Sequence, residues 1–349
     1  MNRPAAATAG TKAVSLALQG GGSHGAYAWG ILDRFLEDGR LSFEGLSGTS
    51  AGSVNAALCA YGLLLGGAEG AREKLDAFWR GIARTGSFFN PGGRFPFEAA
   101  VPGWPTQRSL TVEAFKAMTG SLSPYQWNPL NFNPLRDALE NHVDFERLRT
   151  CKVTKLFVSA TNVRTGRGRV FKTDEVSVDV VLASACLPQL FQAVEIEGDP
   201  YWDGGFMGNP VLYPLFYETR SRDVIIVHIN PIERPGTPRL PHEIENRLNE
   251  ITFNASLIKE LRAVAFVQKL LAEGWIKDEF RGQLKDVLMH SIRADKALCD
   301  LSVASKFDVS WPFLAELRNR GRETAGEWLE MNWKDIGLRS TVDVRKEFL

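Results

Sequence analysis

The sequence lacks any excess of charge and any cysteine framework. Its 349 residues include 41 Lys+Arg and 41 Asp+Glu, so the formal net charge is zero. This balance excludes the basic excess typical of nucleic-acid-binding proteins and gives no long-range attraction to anionic lipid. The four cysteines are scattered, with no C-x-x-C pair and no metal-ligand spacing, at Cys59, Cys151, Cys186 and Cys299. We expect reduced, mostly buried thiols and no cysteine-bound metal.

Long apolar runs are also missing. The Ala-rich segment Met1–Thr11 has no apolar stretch of the kind found in signal peptides. The longest apolar stretch, Val54–Ala68, is shorter than the roughly 20 residues that a membrane-spanning helix needs, and it contains Asn55 and several glycines. These features predict a cytoplasmic protein without a transmembrane segment, and they leave peripheral membrane contact open.

Two strand–turn–helix units open the chain. The apolar pattern predicts a buried strand over Ala13–Leu18 and a helix over Ala26–Glu37. A second strand over Leu41–Leu46 and a helix from about Ser53 to Leu65 repeat the order. This repetition predicts a mostly parallel sheet with helices on its faces.

The remainder of the chain alternates irregular and regular segments. Gly86–Asn133 is rich in aromatic residues and proline, and it reads either as an ordinary excursion or as a lid, with one short helix near Val112–Met118. Apolar patterns further on predict four elements: a hairpin of Lys155–Thr161 with Gly168–Lys172, a helix over Val178–Ala185, a strand over Asp223–Ile229, and a long helix over Ile244–Leu271. The last helix is expected to turn an apolar face, including Ile244, Leu248 and Ile251, to the core.

The first glycine-rich turn has two interpretations. Gly20, Gly22 and Gly25 fit the G-x-G-x-x-G pattern of dinucleotide-binding sites, between a strand and a helix, and Glu44 lies where a ribose-binding acid would be expected. An NAD(P)-binding oxidoreductase is therefore one hypothesis. The pattern alone is weak, because about one chance match is expected in four chains this rich in glycine.

The second turn, Gly48-Thr49-Ser50-Ala51-Gly52, fits the G-x-S-x-G nucleophile elbow. Such a turn presents the serine oxygen at the N-terminus of a helix, and small residues let strand and helix approach each other. Ser50 is therefore a candidate nucleophile, and a helix N-cap is the alternative. With this serine, the first turn gains a second meaning. The backbone N–H groups of Gly20, Gly21, Gly22 and Ala51 are candidate oxyanion donors.

A general base for Ser50 is not provided by an obvious histidine. The histidines His24, His142, His228, His242 and His290 form no recognisable constellation, and we expect structural or surface roles for them. The better candidate is Asp203, which follows an extended segment and precedes Gly204 and Gly205. An Asx-type turn is the alternative interpretation.

Four motifs occur together in one order: Gln19-Gly20-Gly21-Gly22-Ser23-His24-Gly25, Gly48-Thr49-Ser50-Ala51-Gly52, Ala183-Ser184-Ala185-Cys186-Leu187-Pro188, and Asp203-Gly204-Gly205 followed by Asn209-Pro210. In this combination the chain resembles the patatin-like phospholipase family of bacterial acyl hydrolases over roughly residues 13–215. The resemblance implies a three-layer α/β/α, lysophospholipase-like fold with a mostly parallel central sheet. We expect a catalytic core over 13–215 and an extension over 216–349 packed on the same domain.

The resemblance also implies a mechanism. Ser50 would be the nucleophile, Asp203 the base, and the first glycine turn the oxyanion hole, with Gly25, Gly48, Gly52, Gly204 and Gly205 in supporting positions. The substrate would be a lipid or phospholipid ester, cleaved through an acyl-enzyme without cofactor or metal. A non-catalytic lipid- or partner-binding protein with this fold, and an acyl transferase with the same dyad, remain alternatives; the oligomeric state is open.

One residue departs from the family pattern. His24 stands where the family usually has arginine, which is thought to help hold the oxyanion loop. Histidine is shorter and is charged only near or below pH 6.5 unless its surroundings shift it. The substitution puts the rigidity of the loop, and its dependence on pH, in question.

Overall fold

An eight-stranded mixed sheet runs through the computed structural model, which describes residues 10–86 and 117–348. Its strands are β1 Lys12–Leu18, β2 Leu41–Gly48, β3 Lys155–Asn162, β4 Gly168–Lys172, β5 Val194–Ile196, β6 Asp199–Asp203, β7 Asp223–Val227 and β8 Leu288–Ile292. Five of them form the parallel part, in the order β8-β7-β1-β2-β3. The short strands β4, β5 and β6 are antiparallel, and the predicted hairpin of β3 with β4 is confirmed.

Helices cover both faces of this sheet. They are α1 Gly25–Asp38, α2 Ala51–Gly86, α3 Pro124–Trp127, α4 Pro134–His142, α5 Phe145–Arg149, α6 Val178–Ser184, α7 Tyr213–Glu218, α8 Pro241–Ala272, α9 Asp278–Arg281, α10 Trp311–Asn332 and α11 Val344–Phe348. Residues 117–121 are also helical, whereas the rest of the predicted helix near Val112–Met118 lies outside the described residues.

Alternate side chains of the strands enter two separate cores. Leu16 and Leu18 of β1 join the larger core, which contains Trp29 of α1. Ala17, between them, joins a second core with Leu257 of α8. Because successive side chains of a strand point to opposite faces, the sheet is the middle of three layers. The predicted α/β fold is confirmed.

Helix α2 consists of two helical segments joined at a kink. The first begins at Ala51 and stops at the predicted end near Leu65, and non-helical backbone at Gly66 and Gly67 separates it from the second, which ends at Gly86. In the described part of the chain this is the one helix long and apolar enough to span a bilayer, and most of its apolar window is buried in the protein. A buried core helix has the same length and composition.

Helix α8 corrects the predicted burial pattern. Ile244, Leu248 and Ile251 are 43%, 59% and 50% exposed rather than buried. The first half of the helix instead buries Glu250, which pairs with two arginines, and Asn254, which hydrogen-bonds in the site described below. The polar partners of these two side chains fix the rotation of the helix, and the apolar residues are left on its flank.

Residues after 215 add β7 and β8 to the sheet and pack α10 against α1. The two helices approach closely at Gly30, where a Cβ atom would lie 2.0 Å from a backbone oxygen of α10. Asp33 of α1 is buried beside them and accepts hydrogen bonds from Arg72, Arg318 and Arg322. The domain boundary at residue 215 stays a prediction.

Candidate active site

The two glycine turns meet at the carboxyl ends of β1 and β2. A Cβ atom at Gly20 would lie 2.4 Å from Cβ of Ser50, so the turns are in direct contact. The Thr49 N–H group donates to the Leu18 carbonyl at 3.3 Å and holds them together. The ends of parallel strands where connections diverge to the two faces are the usual place for a site in an α/β sheet.

Ser50 has the backbone of a nucleophile elbow. Its φ is +55°, a conformation that is strained for a residue with a side chain. Its N–H group donates to Oγ of Ser184 at 2.9 Å, and helix α2 starts at the next residue. A Cβ atom at Gly52 would lie 2.2 Å from the Leu18 oxygen, so only glycine permits this approach of helix to strand. The side chain therefore stands at the positive end of α2.

Strand β3 brings Asp203 to Ser50. Gly48, at the end of β2, pairs with Val158 of β3, and Asp203, at the end of β6, pairs with Ala160. Strand β4 occupies the other edge of β3 over both positions, so β2 and β6 share one edge. The two strand ends therefore lie two residues apart along β3. This places Asp203 beside the turn that carries Ser50, 153 residues earlier in the chain.

The Asp203 carboxyl is fully buried. Its Oδ1 accepts from the Gly205 N–H at 2.7 Å, whereas Oδ2 has no partner with hydrogen-bond geometry among the described residues. Burial raises the pKa of this carboxyl to about 7, against the opposing effects of the Gly205 N–H, the Ser50 hydroxyl and the charge of Lys306. The Ser50 hydroxyl is thus close to the carboxyl without forming a well-aligned hydrogen bond, a common geometry when no substrate is bound.

The segment with α6 positions both residues. Ser184 accepts the Ser50 N–H, and the carbonyl of Cys186 accepts the Asp203 N–H at 2.8 Å. The sequence singled out this motif only through its resemblance to the family, and neither residue was among the predicted site residues. A serine and a cysteine in a buried helix end give no chemical signal of this role.

The predicted oxyanion donors need one correction. The Gly20 N–H donates to Oδ1 of Asn209 at 2.6 Å, so it is not available to a substrate. No acceptor in the described residues takes the N–H groups of Gly21, Gly22 or Ala51. These three remain candidates, and Gly22 requires glycine because its φ is +58°.

A buried amide network holds the first turn, and sequence reasoning missed it. Gln19 Nε2 donates to Oδ1 of Asn254 at 2.9 Å, and its Oε1 accepts the N–H groups of Ile229 and Asn230. Asn230 Nδ2 donates to the Gly20 carbonyl at 3.0 Å. Asparagine and glutamine carry no titratable signal, and only the fold brings these distant positions together.

The hydrogen bonds of His24 and His290 lead away from Ser50. His24 is buried against Oγ of Ser305 at 2.8 Å, and burial together with the charges of Lys306 and Arg234 holds its pKa well below 6.5. His290 is bonded to Asp223 at 2.9 Å. In the described part of the chain, no histidine has hydrogen-bond geometry to Ser50.

Glu44, the acidic residue that the dinucleotide hypothesis assigns to ribose binding, makes other contacts. Glu44 lies within β2 and accepts the backbone N–H groups of Arg220 and Ser221 at 2.8 and 2.7 Å. It therefore caps a turn at the opposite end of the strand from the glycine turn. Ser50 also packs against the turn that would hold a pyrophosphate.

One cavity and the grouping of possible metal-ligand side chains indicate what ligands the described residues could hold. A cavity of about 610 Å³ borders Gly204 and Gly208, but its lining includes neither Ser50 nor Asp203, so we do not assign it to the reaction. Over residues 10–86 and 117–348, no three His, Cys, Asp or Glu side chains are grouped as metal ligands. All four cysteines are free thiols, and three of them are buried.

Comparison with known proteins identifies the family of this chain. The family described as patatin-like phospholipase matches residues 16–215, more than half of the sequence. Among solved structures, VipD from Legionella pneumophila is similar at 14% identity and a TM-score of 0.38, covering 92% of this chain and 67% of VipD, a likeness too distant to carry an argument. No curated protein matches the sequence. With the matched region containing both glycine turns and Asp203, the chain belongs to the patatin-like phospholipase family, a family of lipid acyl hydrolases.

Proposed function

We propose that this chain hydrolyses lipid esters through an acyl-enzyme on Ser50, with Asp203 as its base. One observation carries the proposal. A serine with φ of +55° at the start of a helix stands beside a buried carboxyl whose Oδ2 is without a well-formed partner. A buried, unpaired carboxylate oxygen is costly, and such groups are concentrated at functional sites.

The reaction would proceed in two steps. Asp203 takes the Ser50 proton as Oγ attacks the ester carbonyl, and the N–H groups of Gly21, Gly22 and Ala51 stabilise the oxyanion. The C–O bond to the alcohol breaks and Asp203 returns the proton to the alcohol. Asp203 then deprotonates a water molecule that attacks the acyl-enzyme, which releases the acid and restores Ser50.

This mechanism has a pH dependence. Asp203 acts as a base only when it is ionised, and burial raises its pKa to about 7. We therefore expect kcat/KM to rise with pH through a midpoint near neutrality, well above the value of an exposed aspartate.

The test uses a short-chain p-nitrophenyl ester, followed by phospholipids and lysophospholipids. Ser50→Ala should abolish hydrolysis and labelling by a fluorophosphonate probe. Ser121→Ala, a change at an exposed serine, is the matched control and should keep both. Equal hydrolysis by wild type and Ser50→Ala would reject the proposal.

The alternatives separate in the same series. Labelling of Ser50 without hydrolysis of any ester would favour a transferase, which an added alcohol acceptor would reveal. Absence of labelling would favour a lipid- or partner-binding protein. Saturable quenching or enhancement of NAD(P)H fluorescence would revive the dinucleotide hypothesis.

Peripheral membrane contact is part of the proposal. Phe206 and Met207 follow the Asp203 turn directly and are 41% and 47% exposed. A lipid substrate would bring this apolar pair to a bilayer surface. Phe206→Glu should reduce co-sedimentation with phosphatidylcholine vesicles, whereas Met331→Glu, at a site 71% exposed on α10, should not. Equal sedimentation of the two variants would contradict it.

A further inference from the structure

Lys306 lies in the C-terminal segment, 91 residues beyond the region that matches the family, yet it reaches the first glycine turn. Its Nζ donates to Oδ1 of Asn230 at 2.8 Å and to Oδ1 of Asn249 at 2.7 Å. Asn230 in turn donates to the Gly20 carbonyl. The backbone is equally close, since a Cβ atom at Gly22 would lie 2.5 Å from the Lys306 oxygen. The lysine thus contacts the turn directly through its main chain, and its ammonium group reaches the turn by way of Asn230.

The ammonium group also lies on the Asp203 side of the turn. Its Nζ is 5.4 Å from the centre of the Phe253 ring, and a Cβ atom at Gly205, whose N–H group donates to Asp203, would lie 2.6 Å from that ring. Among the described residues, Lys306 is the charged side chain whose field lowers the pKa of the Asp203 carboxyl, against the larger effect of burial. His24, the neighbour of Ser305, cannot share this role, because burial and the charges of Lys306 and Arg234 keep it neutral at pH 7. The charge that the family places on position 24 is therefore absent from that position here.

Two carboxylates act on Lys306, and one of them is already paired. Glu250 pairs with Arg234 at 2.7 Å and with Arg247 at 3.1 Å. Among the described residues, Asp203 has no such ion-pair partner. Burial lowers the pKa of Lys306 to about 8, while Glu250 and Asp203 act to raise it and Arg234 to lower it. Lys306 is thus mainly cationic at pH 7, where Asp203 titrates.

We propose that Lys306 is a positioning residue of this site, whose charge keeps Asp203 a carboxylate and whose hydrogen bond holds the glycine turn through Asn230. The inference rests on the proposed serine hydrolase activity. It assigns to the C-terminal segment a part of the site that the family motifs do not contain.

Three substitutions separate charge from hydrogen bonding. Lys306→Gln removes the charge and keeps a donor, Lys306→Met removes both, and Lys306→Arg keeps the charge. Loss of an opposite charge near a carboxyl raises its pKa by about one unit. Lys306→Gln and Lys306→Met should therefore move the acid limb of the kcat/KM profile up by about one pH unit, which is about a tenfold loss of rate at pH 6, carried by kcat rather than KM.

Two control variants test whether the charge of Lys306 is responsible for the shift. Lys306→Arg should restore the wild-type acid limb. Asn249→Ala removes a partner of the ammonium without removing the charge, so its limb should also stay in place. An acid limb of Lys306→Gln that coincides with wild type overturns the proposal, whereas equal activity of wild type and Ser50→Ala overturns the hydrolase function instead.

A second measurement does not depend on activity or on the Met variant being folded. In protein labelled with ¹³C at aspartate carboxyls, the Asp203 signal is assigned by its loss in Asp203→Asn. Its titration midpoint should be higher in Lys306→Gln than in wild type by about one unit. Identical midpoints would overturn the electrostatic role even in a protein that hydrolyses no ester.

Discussion

Replacing Asp203 with asparagine tests the electrostatics of the site through protein stability. Burial raises the pKa of this carboxyl from 3.8 to about 7, so the folded state binds its proton more tightly than the unfolded state. The contribution of this group to the free energy of unfolding must then fall as pH rises from about 4 to about 7. The shift of about 3 units corresponds to a loss of about 4 kcal/mol at pH 8.

Only part of this loss is present at lower pH. At pH 5 the aspartate is already mostly ionised in the unfolded state, so about 1.5 kcal/mol of the total loss has occurred by that pH. The free energy of unfolding of wild type should therefore fall by about 2.5 kcal/mol more between pH 5 and pH 8. Asp203→Asn should not show this loss. Apart from Lys306, whose pKa is coupled to the charge of Asp203, the other titrating groups affect both proteins alike. Urea unfolding of the two proteins at both pH values measures the difference. Parallel pH dependence of the two free energies of unfolding would refute a raised pKa at Asp203.

Two further substitutions test how the site and the C-terminal segment are held. Ser184→Ala leaves the Ser50 N–H group unpaired, so it should lower the free energy of unfolding by about 1–3 kcal/mol and kcat about tenfold or more. Ser177→Ala, which removes the N-cap of the same helix, should lower stability alone. Equal losses of kcat in the two variants would contradict this. Asp33→Asn should lower the free energy of unfolding by about 3 kcal/mol, because three arginines lose a buried partner. Glu37→Gln, at a more exposed carboxylate of the same cluster, should lower it by less than about 1 kcal/mol. A denaturation midpoint of Asp33→Asn equal to wild type would contradict it.

The sequence predicted the parts of the site that depend on local chemistry. A strand, a G-x-S-x-G turn and a helix are neighbours in the chain, so the position of Ser50 follows from a few residues of pattern. Asp203 was harder, because a single aspartate before two glycines also fits an Asx turn. Only its combination with the other motifs selected it, and the role of Ser50 and Asp203 stays a prediction until the variants are measured.

What sequence reasoning missed was set by long-range packing. Asn230 and Asn254 meet Gln19 because β1, β7 and α8 are assembled around it, and no spacing in the chain predicts this. Asn209, which the family motifs include, contacts the same glutamine. The pattern of α8 was wrong in its first half for the same reason. There the apolar period predicts a buried face, but Asn254 and Glu250 point inward to reach their partners, and the leucine and isoleucine residues are turned outward. In the second half, Leu261 and Val264 are buried as predicted.

The segment after residue 215 therefore has two structural tasks. It extends the sheet with β7 and β8. It also packs Ile229, Asn230 and Lys306 against the first glycine turn. A neutral His24 gives the first glycine turn no positive charge at the position where the family resemblance implies one. If Lys306 acts as proposed, its ammonium group supplies a positive charge to the same turn from the C-terminal segment. We therefore expect Lys306, rather than His24, to be the residue whose titration affects activity.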